Sequence, residues 1–402
     1  MGRYRSDRNA TGRRQEREAL ASRALFPSCG RAAPLTIASS HLSLPAILAL
    51  QKVECILGLD AQAALLLSMG CMLAKEMDMK LPWLPLASCL VLGLVALQDA
   101  LAQDRVVRVA LPGTIEPVIL SHIGPAFTAA TGYPLELTRA PSIALVNRIV
   151  SGELRPDVYI SSDANQMKLL FGAAENERAR WYMTVLRSRT ALLYSPRSRF
   201  ADDFETARAG KLPWYEVLLR PGVVLKRPDP TVDSGGYRAI FVFELAEKHY
   251  RIPGLKQRII GVDNNESQYF DRMKDYPLLR NGSIDATVQF VTNALVGGVP
   301  YIDLPEEVDQ SDPARAEWYA TVSYTNPRGQ TFQGAPASYG VTIPITVENA
   351  VGAEAFVRFF LSEPSLNKLE RAGFLRAEIA AAGDQNAIPS SLRSLIKERS
   401  RP

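Results

Sequence analysis

Cysteine is absent from residues 103–402; Cys29, Cys55, Cys71 and Cys89 all lie upstream. This excludes a disulfide framework, a thiol nucleophile and a thiolate metal centre from the larger part of the chain. Histidine is nearly absent there too. His122 and His249 each fall in a helical pattern, with no metal-ligand spacing and no base-and-orienter set around them. There is no Gly-x-Ser-x-Gly elbow and no Gly-Lys-Ser phosphate loop. The expectation is a protein that is not an enzyme, with no catalytic residue and no free metal ion. The formal net charge is only +4, and most of the arginine excess precedes residue 77. The clustered basic footprint of a nucleic-acid partner is therefore missing from the rest. Trp181, Tyr182, Trp214, Tyr215, Trp318 and Tyr319 form no interleaved basic stripe and read as packing residues. No low-complexity tract interrupts residues 104–376, so a compact body with real cores is expected.

What the chain does have is an internal leader. Lys80, the apolar run Leu84–Leu97 and the small-x-small site Ala100-Leu101-Ala102 predict a signal peptide over 77–102, with the exported chain starting at Gln103. The run is too short, and too soon followed by Gln98 and Asp99, for a permanent span. A retained anchor, or lipid on Cys89 in Leu86-Ala87-Ser88-Cys89, are the other fates. Residues 1–76 crowd Arg3, Arg5, Arg8, Arg13, Arg14, Arg17, Arg23 and Arg31 against Asp7, Glu16 and Glu18. They read either as a basic arm for nucleic acid or an anionic membrane, or as a start codon assigned too far upstream, and little packed structure is expected of them.

Beyond residue 104 strands and helices alternate. Val106–Leu111 is a β-branched run stopped by Pro112-Gly113-Thr114, and Ile115–Ala130 has helical spacing up to Gly132. Leu135–Thr138 ends at Ala140-Pro141-Ser142 before a helical Ala144–Ser151, and Asp157–Ile160 ends at Ser161-Ser162-Asp163. Each strand thus delivers a small hydroxyl residue at or near a helix start. Any one of Thr114, Ser142 and Ser161 could be an ordinary N-cap. Together, at the carboxyl ends of strands and beside helix N-termini, they predict a crevice suited to an anion.

Thr190–Tyr194 is a further β-rich run, and Val223–Leu225 leads into Arg227-Pro228-Asp229-Pro230-Thr231-Val232-Asp233-Ser234-Gly235-Gly236-Tyr237-Arg238. Two prolines fix an extended approach, Asp233 has the type and place of an N-cap, and paired glycines allow close backbone approach before a helix over Tyr237–His249.

These segments resemble the molybdate- and tungstate-binding proteins of ABC transporters, in the branch whose carboxylates contact the bound metal oxyanion. The likeness is carried by Leu111–Thr114, Ala140–Ser142, Pro156–Asp163, Trp181-Tyr182, Thr190–Ser195, Asp233–Arg238, Tyr301–Pro305 and Gly334–Pro344, in that order over about 105–375. The resemblance implies an α/β, two-lobed, type II periplasmic-binding-protein-like fold with a central cleft and two crossing hinge segments, near Ala191–Ser195 and Pro336–Val341. Lobe 1 is expected from 104–190 plus 338–385, lobe 2 from 195–333, and a C-terminal tail from 386–402. It further implies a monomeric periplasmic or extracytoplasmic receptor with no cofactor, molybdate or tungstate as ligand, and a membrane permease as partner. Ligand positions carry over to Thr114, Ser142 and Asp233, with Gly236 and Tyr237 as neighbours and Ser161 as a further candidate; Asp233 is the residue that could reach the oxyanion's metal.

Two departures matter. Ser234-Gly235 stands where the family usually has Pro-Cys, and Gln289 stands where it carries a glutamate ligand. A neutral amide is a poor metal ligand and a good donor. If Gln289 faces the ligand, the oxyanion stays tetrahedral or the ligand choice changes; otherwise Gln289 pairs with backbone. Phosphate, sulfate or a small organic anion is the alternative within this class. From a different class, the ligand-sensing domain of a transcription regulator shares the lobed architecture.

Overall fold

The structure is a computed structural model that describes residues 105–172, 176–270 and 275–399. The expected extension 1–76 and signal peptide 77–102 lie outside the described residues.

The first strands, β1 (Val107–Leu111), β2 (Leu135–Arg139) and β3 (Val158–Ser161), are parallel, with β1 paired to both others. β4 (Trp181–Arg187), β12 (Ser338–Thr342) and β13 (Leu375–Gly383) complete a six-stranded sheet in the order β13-β4-β12-β3-β1-β2. Parallel strands need both faces covered. On one face Val107, Val109, Leu111, Val158 and Ile160 meet Phe356, Val357 and Phe360 of the helix Ala350–Phe360. On the other Ala110 and Tyr159 meet Leu145, Val146 and Ile149, the apolar stripe of the helix Ser142–Val150.

β5 (Thr190–Tyr194), β8 (Ala286–Phe290) and β9 (Tyr301–Asp303) form a separate antiparallel sheet in the order β8-β5-β9. Two short pairs flank it, β6 (Arg227–Pro228) with β7 (Tyr269–Phe270) and β10 (Ser323–Thr325) with β11 (Thr331–Gln333). Leu192, Tyr194 and Val288 pack on Ile240, Phe241 and Phe243 of the helix Ser234–Tyr250. That helix is apolar on almost every side because it is enclosed on almost every side.

Several expectations are corrected. The chain passes between the two sheets at 188–189 and at 334–337, because all five residues of Thr190–Tyr194 are buried in β5 and Ser338–Val341 belongs to β12. The first crossing thus precedes Ala191–Ser195, and the second overlaps Pro336–Val341 only at its first two residues. The segment after 385 is no loose tail: the helix Ser390–Arg399 buries Leu392 in the core of the larger sheet. The helix expected over Ile115–Ala130 is interrupted by a π-helical stretch, Ile119–Ile123, closed by Gly124 N–H to Ile119 O. Pro125 lacks the amide that would continue the α pattern, and the wider turn precedes it.

Candidate oxyanion site

The helix Ser142–Val150 starts at Ser142 itself, immediately after Pro141, and its first hydroxyl is fully buried. Ser142 Oγ shares a hydrogen bond of 2.8 Å with Ser162 Oγ and accepts Ser162 N–H at 3.1 Å. Ser162 Oγ in turn shares a bond of 2.7 Å with Ser234 Oγ, 72 residues further on. Three hydroxyls are thus chained across two helix N-termini and the end of β3. Two internal contacts use two of their three protons, which leaves one donor for another acceptor.

Asp233 caps the helix Ser234–Tyr250 from extended backbone, its Oδ1 accepting Gly235 N–H at 2.8 Å. A methyl group at Gly235 would lie 3.0 Å from Gln289 Oε1 and 3.3 Å from Asp233 Oδ1, so the absence of a side chain there brings amide and carboxylate to one helix start. Gln289 is 1 % exposed. Its Oε1 accepts Asn293 Nδ2–H at 2.8 Å, while its Nε2 has no partner. A buried donor without an acceptor is costly.

Thr114 follows β1 and accepts a bond from Tyr339 Oη of β12 at 2.7 Å. The Tyr339 ring lies 6.4 Å from that of Phe290, the residue after Gln289. Thr114 is thus tied to β12, and its bond to Tyr339 does not reach Ser142, Ser162 or Ser234.

The remaining sequence candidates are placed differently. Ser161 Oγ donates to Asp163 O at 2.8 Å and accepts Asp163 N–H at 3.1 Å, so its hydroxyl closes its own turn. Gly236 serves packing: a methyl group would lie 2.5 Å from Pro230 N and 2.6 Å from Pro228 O. Tyr237 Oη donates to Asp163 Oδ2 at 2.6 Å and accepts from Gln166 Nε2 at 2.7 Å, with its ring stacked on Phe332 at 4.7 Å. Burial, then the Asp163 charge, pushes the Tyr237 phenol well above its ordinary pKa. Arg238 is buried and bonded to Asp163 Oδ2 at 2.8 Å. Among the described residues no group of three His, Cys, Asp or Glu side chains could hold a metal ion.

The family of bacterial extracellular solute-binding proteins matches residues 107–375. The chain belongs to that family. It is 28% identical over 291 residues to an uncharacterized solute-binding protein of Halobacterium salinarum, covering 72% of this chain and 90% of that one. It is 32% identical over 217 residues to a putative ABC transporter molybdenum-binding protein of Haloferax volcanii, covering 54% and 66%. A molybdate/tungstate-binding protein of Thermococcus kodakarensis is 25% identical over 280 residues, covering 64% and 78%.

For a solute-binding protein, Ser162, Ser234 and Asn293 are residues that sequence reasoning passed over. Ser162 lies beside Ser161 in one turn, and Ser234 departs from the Pro-Cys of the resembled family. Asn293 carries no local signal: Gln289 lies in β8 and Asn293 in the helix Val291–Gly297, so the four-residue spacing of a helix face does not apply between them.

Proposed function

We propose that the chain is the extracytoplasmic receptor of an ABC importer, and that it binds a tetraoxo dianion, molybdate or tungstate, between its two halves. The halves are residues 105–187 with 338–399, and 190–333. Export through the signal peptide 77–102 would place it in the periplasm, where it works as a monomer, hands the anion to a membrane permease and catalyses nothing.

One observation carries the reading: hydroxyls borne by both halves converge on two helix starts, through the contacts of 2.8 and 2.7 Å along Ser142, Ser162 and Ser234. Burying a dianion is prohibitive unless donors replace its water. Helix N-termini supply oriented N–H groups and partial positive charge, and bonds to an ionised acceptor are stronger than neutral ones. The names of the Haloferax and Thermococcus relatives agree with this choice of ligand. Thr114 would close one side. The unpartnered Gln289 Nε2 would give the anion a further donor, and since an amide is a poor metal ligand the bound species would stay tetrahedral.

Calorimetric titration of the purified chain with molybdate, tungstate, sulfate and phosphate tests the reading. Molybdate and tungstate should bind most tightly, because at equal charge the cavity selects by size. Gln289→Leu, which removes the unpartnered Nε2 donor, should weaken both by about tenfold, the worth of one hydrogen bond to a charged group. A wild-type chain that ignores all four anions would end the proposal.

A further inference from the structure

Asp163 and Arg238 are buried, at 3% and 1% exposure. Arg238 Nη2 donates to Asp163 Oδ2 at 2.8 Å across 75 residues of sequence. Tyr237 Oη donates to the same carboxylate oxygen at 2.6 Å and takes a bond from Gln166 Nε2 at 2.7 Å. Arg238 Nη1 donates to Gln310 Oε1 at 2.9 Å and to Ala335 O at 3.0 Å, and Gln310 Nε2 donates back to Arg238 O at 3.1 Å. The network ties the turn after β3 to the helix Ser234–Tyr250 and to the 334–337 crossing.

We infer that Asp163 and Arg238 are positioning residues for the anion: through Tyr237 and each other they hold Ser162 against Ser234. The inference rests on the receptor reading above. Ser162 is the neighbour of Asp163, and Ser234 precedes Arg238 by four residues, about one helical turn. The ion pair and the 2.7 Å hydroxyl contact therefore fasten the same two backbone segments, side by side.

Two simpler roles fit less well. As the anion's counter-ion Arg238 is poorly placed, because both its Nη atoms are bonded to Asp163, Gln310 and Ala335 and only Nε lacks a partner. As a source of stability alone a buried pair is inefficient, since desolvation roughly cancels the attraction and apolar residues of similar volume serve as well. What such a pair supplies is fixed geometry, here next to two hydroxyls of the proposed site.

Charge and position make opposite predictions. Asp163→Asn removes a negative charge one residue from Ser162 and leaves the Arg238 cation unbalanced. Both changes would tighten binding of an anion if charge decided the outcome. If position decides, binding weakens. The full chain is titrated with molybdate as wild type, Asp163→Asn, Tyr237→Phe and Ser234→Ala, and with the first two changes each combined with Ser234→Ala, with thermal melting of every variant.

The expected results are a loss of at least about tenfold for Asp163→Asn and about threefold for Tyr237→Phe, with little further loss when either is added to Ser234→Ala, because coupled residues are not additive. Unchanged or tighter binding by Asp163→Asn overturns the inference. So do losses that add in full to that of Ser234→Ala, or a Tyr237→Phe chain that melts earlier yet binds as before. Should Asp163→Asn fail to fold, Tyr237→Phe, which deletes one oxygen, decides by the same criteria. A wild-type chain that binds no molybdate overturns the receptor reading and this role together; a wild-type chain that binds, with indifferent variants, overturns this role alone.

Discussion

Two places where the halves of the molecule meet differ in what they leave open. Along Ser142, Ser162 and Ser234 the hydroxyls touch and one of their three protons is left uncommitted, with Gln289 Nε2 unpartnered. Elsewhere residues of both halves line a cleft of about 370 Å³, among them Arg189, Tyr301, Asp309, Glu370 and Phe374. That cleft has room, but its wall carries the carboxylates of Glu306, Asp309 and Glu370 and the single cation of Arg189. Arg189 is already paired to Asp303 at 2.9 Å. Glu370 is paired with Arg376 at 2.8 Å and Glu306 with Arg315 at 3.7 Å, so the cleft's charged groups already satisfy one another. Volume therefore points to one place and chemistry to the other, and for a dianion the supply of donors outweighs the supply of space.

The comparison breaks most readily at Arg238. Arg238→Met would leave the Asp163 carboxylate buried without its cation, and such a loss costs about 3–5 kcal/mol. Urea denaturation should show a fall of that size. A fall under about 1 kcal/mol would mean that the pair is hydrated and that the hydroxyl seam is looser than the contacts imply.

The next largest effect belongs to the open cleft. Burial pushes the Asp309 carboxyl from its ordinary 3.8 up to about 6, against the opposing hydrogen bond from Ser311. Between those two values the folded state holds more protons than the unfolded one. Stability is thus highest below the lower value, falls as pH rises to about 6, and stays reduced above it. The loss should be about 3 kcal/mol, and Asp309→Asn should remove it. Denaturation curves from pH 3.5 to 7 that run parallel for wild type and variant would show that Asp309 is ionised and solvated. Smaller again is Asp233→Ala, which deletes the cap on Gly235 N–H and should cost about 1 kcal/mol in melting experiments, with Asp233→Asn largely sparing it.

Legibility from sequence varied with the range of the interaction. Asp233 was recognisable as a cap because a cap is a local event, and the structure places it two residues before the N–H that it accepts. Ser142 was recognisable because Pro141 and an apolar stripe follow one another in the chain. Ser161 and Ser162 could not be told apart. Every residue of β3 is buried, so no polar alternation reveals which side chain faces where, and one step along a strand reverses its face. The same continuous burial disguised β5 as a crossing segment. The burial of Arg238 was not legible, because its partner lies 75 positions away and only the folded chain brings Asp163 to it. The exposed edge of a helix and its buried core are not distinguished by one arginine.

The smallest expected effect is the one that sharpens the comparison between the two regions. Arg189 and Asp303 are 34% and 60% exposed in their side chains, so water already solvates the pair and its net worth is about 0–1 kcal/mol. Arg189→Gln should shift melting by no more than that, and should leave molybdate affinity within about twofold, since the cation is balanced by Asp303 and stands among carboxylates. A large loss of affinity would instead show that the open cleft draws on its single arginine to hold the anion. The hydroxyl seam would then be a structural clasp, and Ser162 and Ser234 would touch only each other.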